Sequence, residues 1–393
     1  MICVSEKKAI FLVTNLPYVA DITNEEAWRF VQREADRDFP WLFAGGYWVT
    51  LSGVGRRWRG VRRRGQIVSH AQWAGTGWIP LDAVLAWFAH FLDAMRASRQ
   101  SRVVAIAPTP EAGFGVVLAR SLCMNKVRLV VRVQGHTASK ALFVKHSKLR
   151  FKLFERIESF VLRRADLVVP MGRFTEGLAL RKGVKPDKVI VLPFPVRWAS
   201  SVSLTPLPPE PCALFVGRLE KEKGVQVLLE AMCKVREEIP SVRLLIAGDG
   251  SYRRQLEKMT NRLNLRDHVS FLGWLEGAEL QDTYRRAWVL VLPSIWAEGL
   301  GMVLVEAGLM GRPVIGSNLG GIRDIVQHGY NGLLVPPGDS KALAEALLTL
   351  LTDKDLAQRM GLANSEMARR YLSQRDEALE RVRRAILAMA NEQ

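Results

Sequence analysis

Cysteine is scarce: the 393 residues contain four, Cys3, Cys123, Cys212 and Cys233. Their irregular spacing excludes a zinc module and a disulfide framework, and they are expected to be buried thiols in a reducing compartment. Long apolar runs are lacking too. The nearest approach, IPLDAVLAWFAHFLDAM at 79–95, is interrupted by Asp82, His90 and Asp93 and falls short of the roughly 20 residues that a membrane-spanning helix needs. The opening MICVSEKKAIFLVTNLPY enters a strand-like run directly, so no secretion leader is expected. No repeat of solenoid period and no low-complexity tract occurs. With 48% hydrophobic and 24% charged residues, the composition is that of a globular protein, which excludes extensive disorder.

What is present is a chain longer than one core usually supports, so two domains are expected. Short β-branched, apolar runs recur in both halves, each followed by a helical pattern or a turn. In the first half they are AIFLVTNLP, RVVAIAP, RLVVRVQG, DLVVPMG and KVIVLPFP; in the second they are CALFVG, VRLLIAG, VSFLG, WVLVLPS, PVIGS and GLLVPPGD. This rhythm implies an α/β protein with two doubly wound parallel sheets. Val225, Leu228, Leu229, Met232 and Val235 recur at helical spacing between two of the runs, which predicts an amphipathic helix there. The stretch from 41 to 80 is irregular, and no element is assigned to it.

The proline- and serine-rich segment PFPVRWASSVSLTPLPPEP at 193–211 disfavours both helix and central strand and reads as a linker. The division expected is residues 1–205, residues 206–375, and a terminal helix at 376–393 that returns to the first domain. Open parallel sheets bind ligands beyond the carboxyl ends of their strands, so two of them would face a central cleft. Charge is divided unequally. Residues 1–200 hold 32 Lys and Arg against 15 Asp and Glu, whereas residues 201–393 hold 24 of each, so the first half carries the whole formal charge of +17. An anionic partner is expected to meet that half.

The segment AEGLGMVLVEAGLMGRPVIG at 297–316 sets two glutamates against an apolar background. Ala297 to Gly301 reads as a turn, and Met302 to Met310 as a helix apolar on nearly every side, hence interior. Glu306 in its middle loses hydration, at a cost of several kcal/mol unless hydrogen bonds to the charged form replace it. A donor is therefore required. If the turn continues the helix axis, Glu298 and Glu306 stand roughly 12 Å apart, beyond the separation of about 5 to 9.5 Å of a glycosidase acid/base pair. They suit two ends of one hydroxyl-rich ligand, with the N–H groups of Gly299 to Met302 as a seat for phosphate between them. Such a ligand is a sugar nucleotide. The plainer reading makes Glu306 a structural partner of an interior arginine and Glu298 a favourable charge at a helix start.

Four further blocks accompany this one in order: FVGRLEKEKGVQVLLEAM (215–232), LLIAGDGSYRRQLE (244–257), FLGWLEGAELQDTYRRAWVLVLPS (271–294) and NLGGIRDIVQHGYNGLLVPPGD (318–339). Together with the run from Glu298 to Ile315 they resemble the retaining glycosyltransferases of family 4, which have an E-x7-E signature and the two-domain GT-B fold. The resemblance covers most of residues 212–350. It implies two Rossmann-like domains, the first binding an acceptor and the second a nucleotide-sugar donor such as a UDP- or GDP-sugar. Glu306 would hold the ribose hydroxyls and Glu298 a hydroxyl of the donor sugar. Gly217, Gly299, Leu300, Gly301 and Met302 would lie against the diphosphate and sugar, Arg218 and Lys223 would be the basic pair on the diphosphate, and Trp274 and Leu275 would flank the base.

The basic pair also has an independent physical motive. A departing nucleoside diphosphate gains negative charge, and cations preorganised beside it lower the barrier. The Asp-x-Asp spacing that holds a metal in other transferases occurs only at Asp36/Asp38 and Asp353/Asp355, both in polar surroundings, so neither a metal nor another cofactor is expected. His136 follows a first-half strand in VRVQGHTASKAL. A lone histidine is more often a polar bystander, but the resemblance places it near the donor sugar, where it would position the acceptor hydroxyl. The general base would then be the leaving phosphate. Three segments depart from the family pattern: NLPYVADITNEE lacks paired glycines, LPFPV replaces Pro-Asn-Gly, and EAGLMG replaces the commoner EAMAxG.

In the first half, GVGRRWRGVRRRG at 53–65 offers Arg56, Arg57, Arg59, Arg62, Arg63 and Arg64 to anionic headgroups and Trp58 to the interface. The expectation is a cytoplasmic protein, peripheral on the membrane face, acting on a lipid-linked or cell-envelope glycan. A solvated basic loop is the alternative. No nucleic acid is expected, although basic and aromatic residues together also suit single strands. For the activity, a sugar-nucleotide epimerase of the same fold, a natural-product glycosyltransferase, and a basic binding protein with a vestigial site remain alternatives to a retaining, metal-independent glycosyltransferase of polysaccharide biosynthesis.

Overall fold

The computed structural model describes residues 10–14, 48–52, 63–64, 67–70, 79–100, 102–123, 126–135, 148–196 and 204–391. The chain divides into two compact units, Met1–Pro195 with Glu377–Gln393, and Val196–Asp376.

The first unit holds a seven-stranded sheet of β1 (Ile10–Thr14), β2 (Trp48–Ser52), β3 (Arg63–Arg64), β4 (Ile67–His70), β5 (Val103–Ala107), β6 (Val127–Val133) and β7 (Leu167–Pro170), in the order β3-β4-β2-β1-β5-β6-β7. Every neighbouring pair is parallel except β3 with β4. The central strand β5 is buried along its whole length, and its side chains alternate between two apolar layers. Val103, Ala105 and Ala107 join Ala94, Val116, Leu129 and Leu162 on one side. Val104 and Ile106 join Val130, Val169, Val382 and Ile386 on the other. That second layer is covered by the end of the terminal helix Lys354–Asn391.

The stretch from 41 to 80, to which the sequence assigns no element, supplies β2, β3 and β4, strands of two to five residues too short to leave a periodic trace. The run KVIVLPFP does not form a strand. It makes one bridge, Val168 to Val189, and two further bonds, Ile190 N–H to Val168 O at 3.1 Å and Leu192 N–H to Pro170 O at 2.8 Å. Pro193 and Pro195 have no N–H to continue the ladder. The apolar segment at 79–95 lies in the helix Ile79–Gln100, where His90 and Asp93 are buried and His90 Nδ1 lies 3.0 Å from Ala112 O. Among the described residues, no helix is long and apolar enough to cross a membrane.

The second unit holds β8 (Cys212–Val216), β9 (Arg243–Ala247), β10 (Val269–Gly273), β11 (Val289–Leu292), β12 (Val314–Ser317) and β13 (Gly332–Val335). They form a six-stranded, wholly parallel sheet in the order β10-β9-β8-β11-β12-β13. This is the doubly wound order in which the chain reverses direction across the sheet between its first and fourth strands, here β8 and β11. The predicted amphipathic helix is Val225–Glu238, and it buries Val225, Leu228, Leu229, Met232 and Val235.

A buried guanidinium fastens the linker to this unit. Arg312, 0% exposed, donates to Thr205 O at 2.6 Å, Thr205 Oγ1 at 2.8 Å, Pro206 O at 3.2 Å, Tyr284 O at 3.1 Å and Arg285 O at 2.9 Å. Burial first, then the like charge of Arg285, pushes its pKa down to about 10, which leaves it cationic at neutral pH. Asp353, of the second Asp-x-Asp pair, caps the terminal helix by accepting from Leu356 N–H at 2.8 Å. Replacing Arg312 by Met strands several buried carbonyls at once. We expect Arg312→Met to lower unfolding free energy by about 2 to 4 kcal/mol, read by urea denaturation, with Arg312→Lys intermediate.

Candidate functional site

Because all six strands of the second unit are parallel, their carboxyl ends share one edge, and the loops that leave it gather there. The loop after β8 runs through Gly217 and Arg218 to a short 3-10 turn, Lys221–Lys223. The loop after β11 runs through Ser294 and Glu298 to the helix Met302–Leu309. Since β8 and β11 are neighbours, these loops meet at the reversal point of the sheet. Ile295 N–H donates to Glu222 O at 2.9 Å, and Gly224 (φ +73°) passes so close that a Cβ would stand 1.9 Å from Pro293 O. Only glycine fits both that conformation and that approach.

This convergence brings two predicted site residues together. Lys223 Nζ lies 2.7 Å from Glu298 Oε1, and Ser294 Oγ donates to the same oxygen at 2.5 Å. Both members of the ion pair are largely sheltered, at 18% and 16% exposed, so water screens them less than a surface pair. Among the described residues only Oε1 is engaged, which leaves Oε2 able to accept from a ligand hydroxyl. Ser294 was not singled out from the sequence. Its signal was its place directly after a buried strand, four residues before Glu298.

Glu306 sits mid-helix, 8% exposed, with Leu304 to Leu309 all buried around it. The required donor is Tyr284, whose Oη donates to Glu306 Oε2 at 2.8 Å and lies 3.5 Å from Val303 O. Tyr284 is 0% exposed. Burial, then the charge of Glu306 and its hydrogen bond, holds the phenol pKa well above the ordinary range, so it remains a protonated donor. The interior arginine of this unit, Arg312, is committed to the carbonyls named above. Tyr284 was missed because nothing in the spacing of LQDTYRRAW points to a carboxylate 22 residues on.

A further loop shapes the turn between the glutamates. Gly321 N–H donates to Glu298 O at 2.8 Å, and a Cβ at Gly321 would stand 2.2 Å from Gly299 O, so NLGG packs backbone to backbone against EGLG. Leu300 is buried, while Gly299, Gly301 and Met302 are half-buried. Met302 opens the helix, whose first N–H groups have no acceptor within it and favour an anion. At the same edge Arg218 is exposed and Gly217 half-buried. Trp274, after β10, is 56% exposed, with Nε1 donating to Glu276 Oε1 at 3.0 Å, and Leu275 is half-buried beside it. The arrangement offers cations, amide donors, a carboxylate at each end and an exposed aromatic face.

The other expected residues belong to the first half of the chain. His136, Arg56, Arg57, Trp58, Arg59, Arg62, Asp36 and Asp38 lie outside the described residues. Arg63 and Arg64 form β3, the antiparallel edge strand of the first unit. Among the described residues, no group of three or more His, Cys, Asp or Glu is placed to hold a metal ion.

The second unit matches the family Glycosyl transferases group 1 over residues 197–367, and the first matches Glycosyl transferase 4-like domain over residues 29–195. Phosphatidyl-myo-inositol mannosyltransferase from Mycobacterium leprae is 42% identical over 159 residues, which are 40% of this chain and 42% of that relative. The chain thus spans less than half the length of that curated relative. Among solved structures, sucrose-phosphate synthase from Thermosynechococcus elongatus is similar with a TM-score of 0.73 at 22% identity, over 97% of this chain and 100% of that one. Anabaena HepE in complex with UDP has a TM-score of 0.68 at 18% identity, over 96% and 100%. These structures share the fold of two Rossmann-like α/β domains, GT-B. With nearly the whole chain matched by the two family descriptions in succession, the protein belongs to the group 1 glycosyltransferases.

Proposed function

We propose that this protein is a retaining, metal-independent glycosyltransferase that moves a hexose-type unit from a nucleotide sugar to an acceptor hydroxyl. The observation that carries the reading is the Lys223–Glu298 pair, at 2.7 Å, at the reversal point of the second sheet and on the turn that leads to Glu306. Glu306 binds the ribose hydroxyls, Glu298 a hydroxyl of the donor sugar, and Arg218 with Lys223 the diphosphate. Trp274 and Leu275 flank the base. A UDP- or GDP-sugar fits this set, and the solved complex of HepE with UDP supports the first.

In the reaction the bond from the anomeric carbon to the diphosphate oxygen breaks, and a bond to the acceptor oxygen forms on the same face. The acceptor proton passes to the departing phosphate, and His136 positions the acceptor hydroxyl. Charge grows on the diphosphate as the bond lengthens, so the two cations stabilise the transition state more than the ground state. Their presence removes the need for a divalent ion.

The acceptor reading rests on charge. The first half carries the formal +17, and the mannosyltransferase relative is named for a phosphatidyl-inositol substrate. A lipid-linked or cell-envelope glycan, met by Arg56 to Arg64 and Trp58 at the cytoplasmic face of an anionic membrane, suits both.

Each part of this reading has an expected outcome. In a thermal-shift panel of nucleotides and sugar nucleotides, one sugar nucleotide should raise the melting temperature, and Glu306→Ala should weaken use of that donor by about 10- to 100-fold; unchanged kinetics would defeat the assignment. Arg218→Ala combined with Lys223→Ala should lower kcat more than donor affinity, and the opposite split counts against transition-state stabilisation. Sedimentation with liposomes should show binding that rises with anionic lipid and falls with salt; no binding at low salt removes the membrane from the proposal.

A further inference from the structure

The nucleotide end of the site contains a group that no donor ligand would touch. Tyr284 lies wholly inside the second unit, at the end of the helix Gly277–Arg285, and reaches Glu306 Oε2 at 2.8 Å. Its own backbone is held in turn: Arg312 Nε donates to Tyr284 O at 3.1 Å, and Arg312 Nη2 donates to Arg285 O at 2.9 Å. A chain of contacts therefore runs from a buried guanidinium, through the main chain of one helix, to a hydroxyl that grips the carboxylate on another.

We infer that Tyr284 is a positioning residue that sets the selectivity of the site for ribose, by fixing the rotation of the Glu306 carboxylate against the ligand hydroxyls. The inference rests on the reading of Glu306 as the ribose acceptor. A carboxylate offers about four acceptor positions, and the phenol takes one, in a geometry its packed ring cannot leave. The donor is also neutral. The phenol orients the carboxylate without placing a charge of its own beside it. The phenol cannot ionise near neutral pH, because burial and the adjacent carboxylate both oppose it, so it remains a donor through the working range. Misorientation of a bound-state partner by a fraction of an ångström weakens recognition selectively for the group it faces.

Isothermal titration of the full chain with UDP and GDP, and with the 2′,3′-dideoxy form of each, tests this. The wild type should bind the preferred ribonucleotide about 10-fold or more tightly than its dideoxy form. Tyr284→Phe should weaken ribonucleotide binding by about 3- to 10-fold and leave dideoxynucleotide binding unchanged. In a Glu306→Gln background the same substitution should add nothing to the discrimination. If Tyr284→Phe weakens both ligands equally, or changes neither, the positioning role is overturned while the ribose reading of Glu306 stands. A wild type that binds both forms equally overturns that reading and this inference with it. Should Tyr284→Phe not fold, 3-fluorotyrosine at position 284 keeps the packing and strengthens the donor; an unaltered ribonucleotide-to-dideoxynucleotide ratio then overturns the proposal.

Discussion

One carboxylate oxygen, Glu298 Oε1, receives both Lys223 and Ser294, and the architecture of the second unit converges on that atom. The lysine comes from the loop after β8 and the serine from the loop after β11, strands adjacent in space and far apart in sequence. A wholly parallel sheet is what makes this possible, because it sends all its carboxyl-end loops to one edge. Gly224 against Pro293, and Gly321 against Gly299, let the loops close to backbone contact. With larger residues there, the ammonium and carboxylate would stand apart, and each would have to be solvated alone.

The second glutamate poses the opposite problem, a charge inside an apolar helix. It is met by a neutral donor, the Tyr284 phenol, while Arg312, a wholly buried cation of this unit, is spent on backbone carbonyls. Those carbonyls include the linker residues Thr205 and Pro206, so the same guanidinium anchors the entry of the chain into the unit and the helix that carries Tyr284. Structural and functional roles are thus joined at residues that no ligand approaches. The first unit is organised differently. There the strand alternation of β5 serves two apolar layers, one closed by the helices that precede and follow it and the other by the end of the terminal helix.

Much of this was legible in advance. Apolar runs marked the strands of the second sheet and are unbroken in β8 and β11, which are buried along their whole length, because strands covered on both faces must be apolar throughout. Glu306 was recognisable as a charge that needs a donor, and Lys223, Arg218 and Glu298 as members of ordered blocks. Where reading failed, the local pattern was too short or was interrupted. The strands β2, β3 and β4 are short and leave little period, and KVIVLPFP looks like a strand until its prolines meet the ladder.

By itself the sequence determined the class of each half, the charge imbalance, and the need for a hydrogen-bond donor at Glu306, because these follow from composition, periodicity and the cost of burying a charge. Only the tertiary structure decided which group supplies that donor, which oxygen of Glu298 is occupied, and which loops touch. Those outcomes depend on the order of strands in the sheet, which brings residues 22 and 75 positions apart into hydrogen-bond range and which no local pattern encodes.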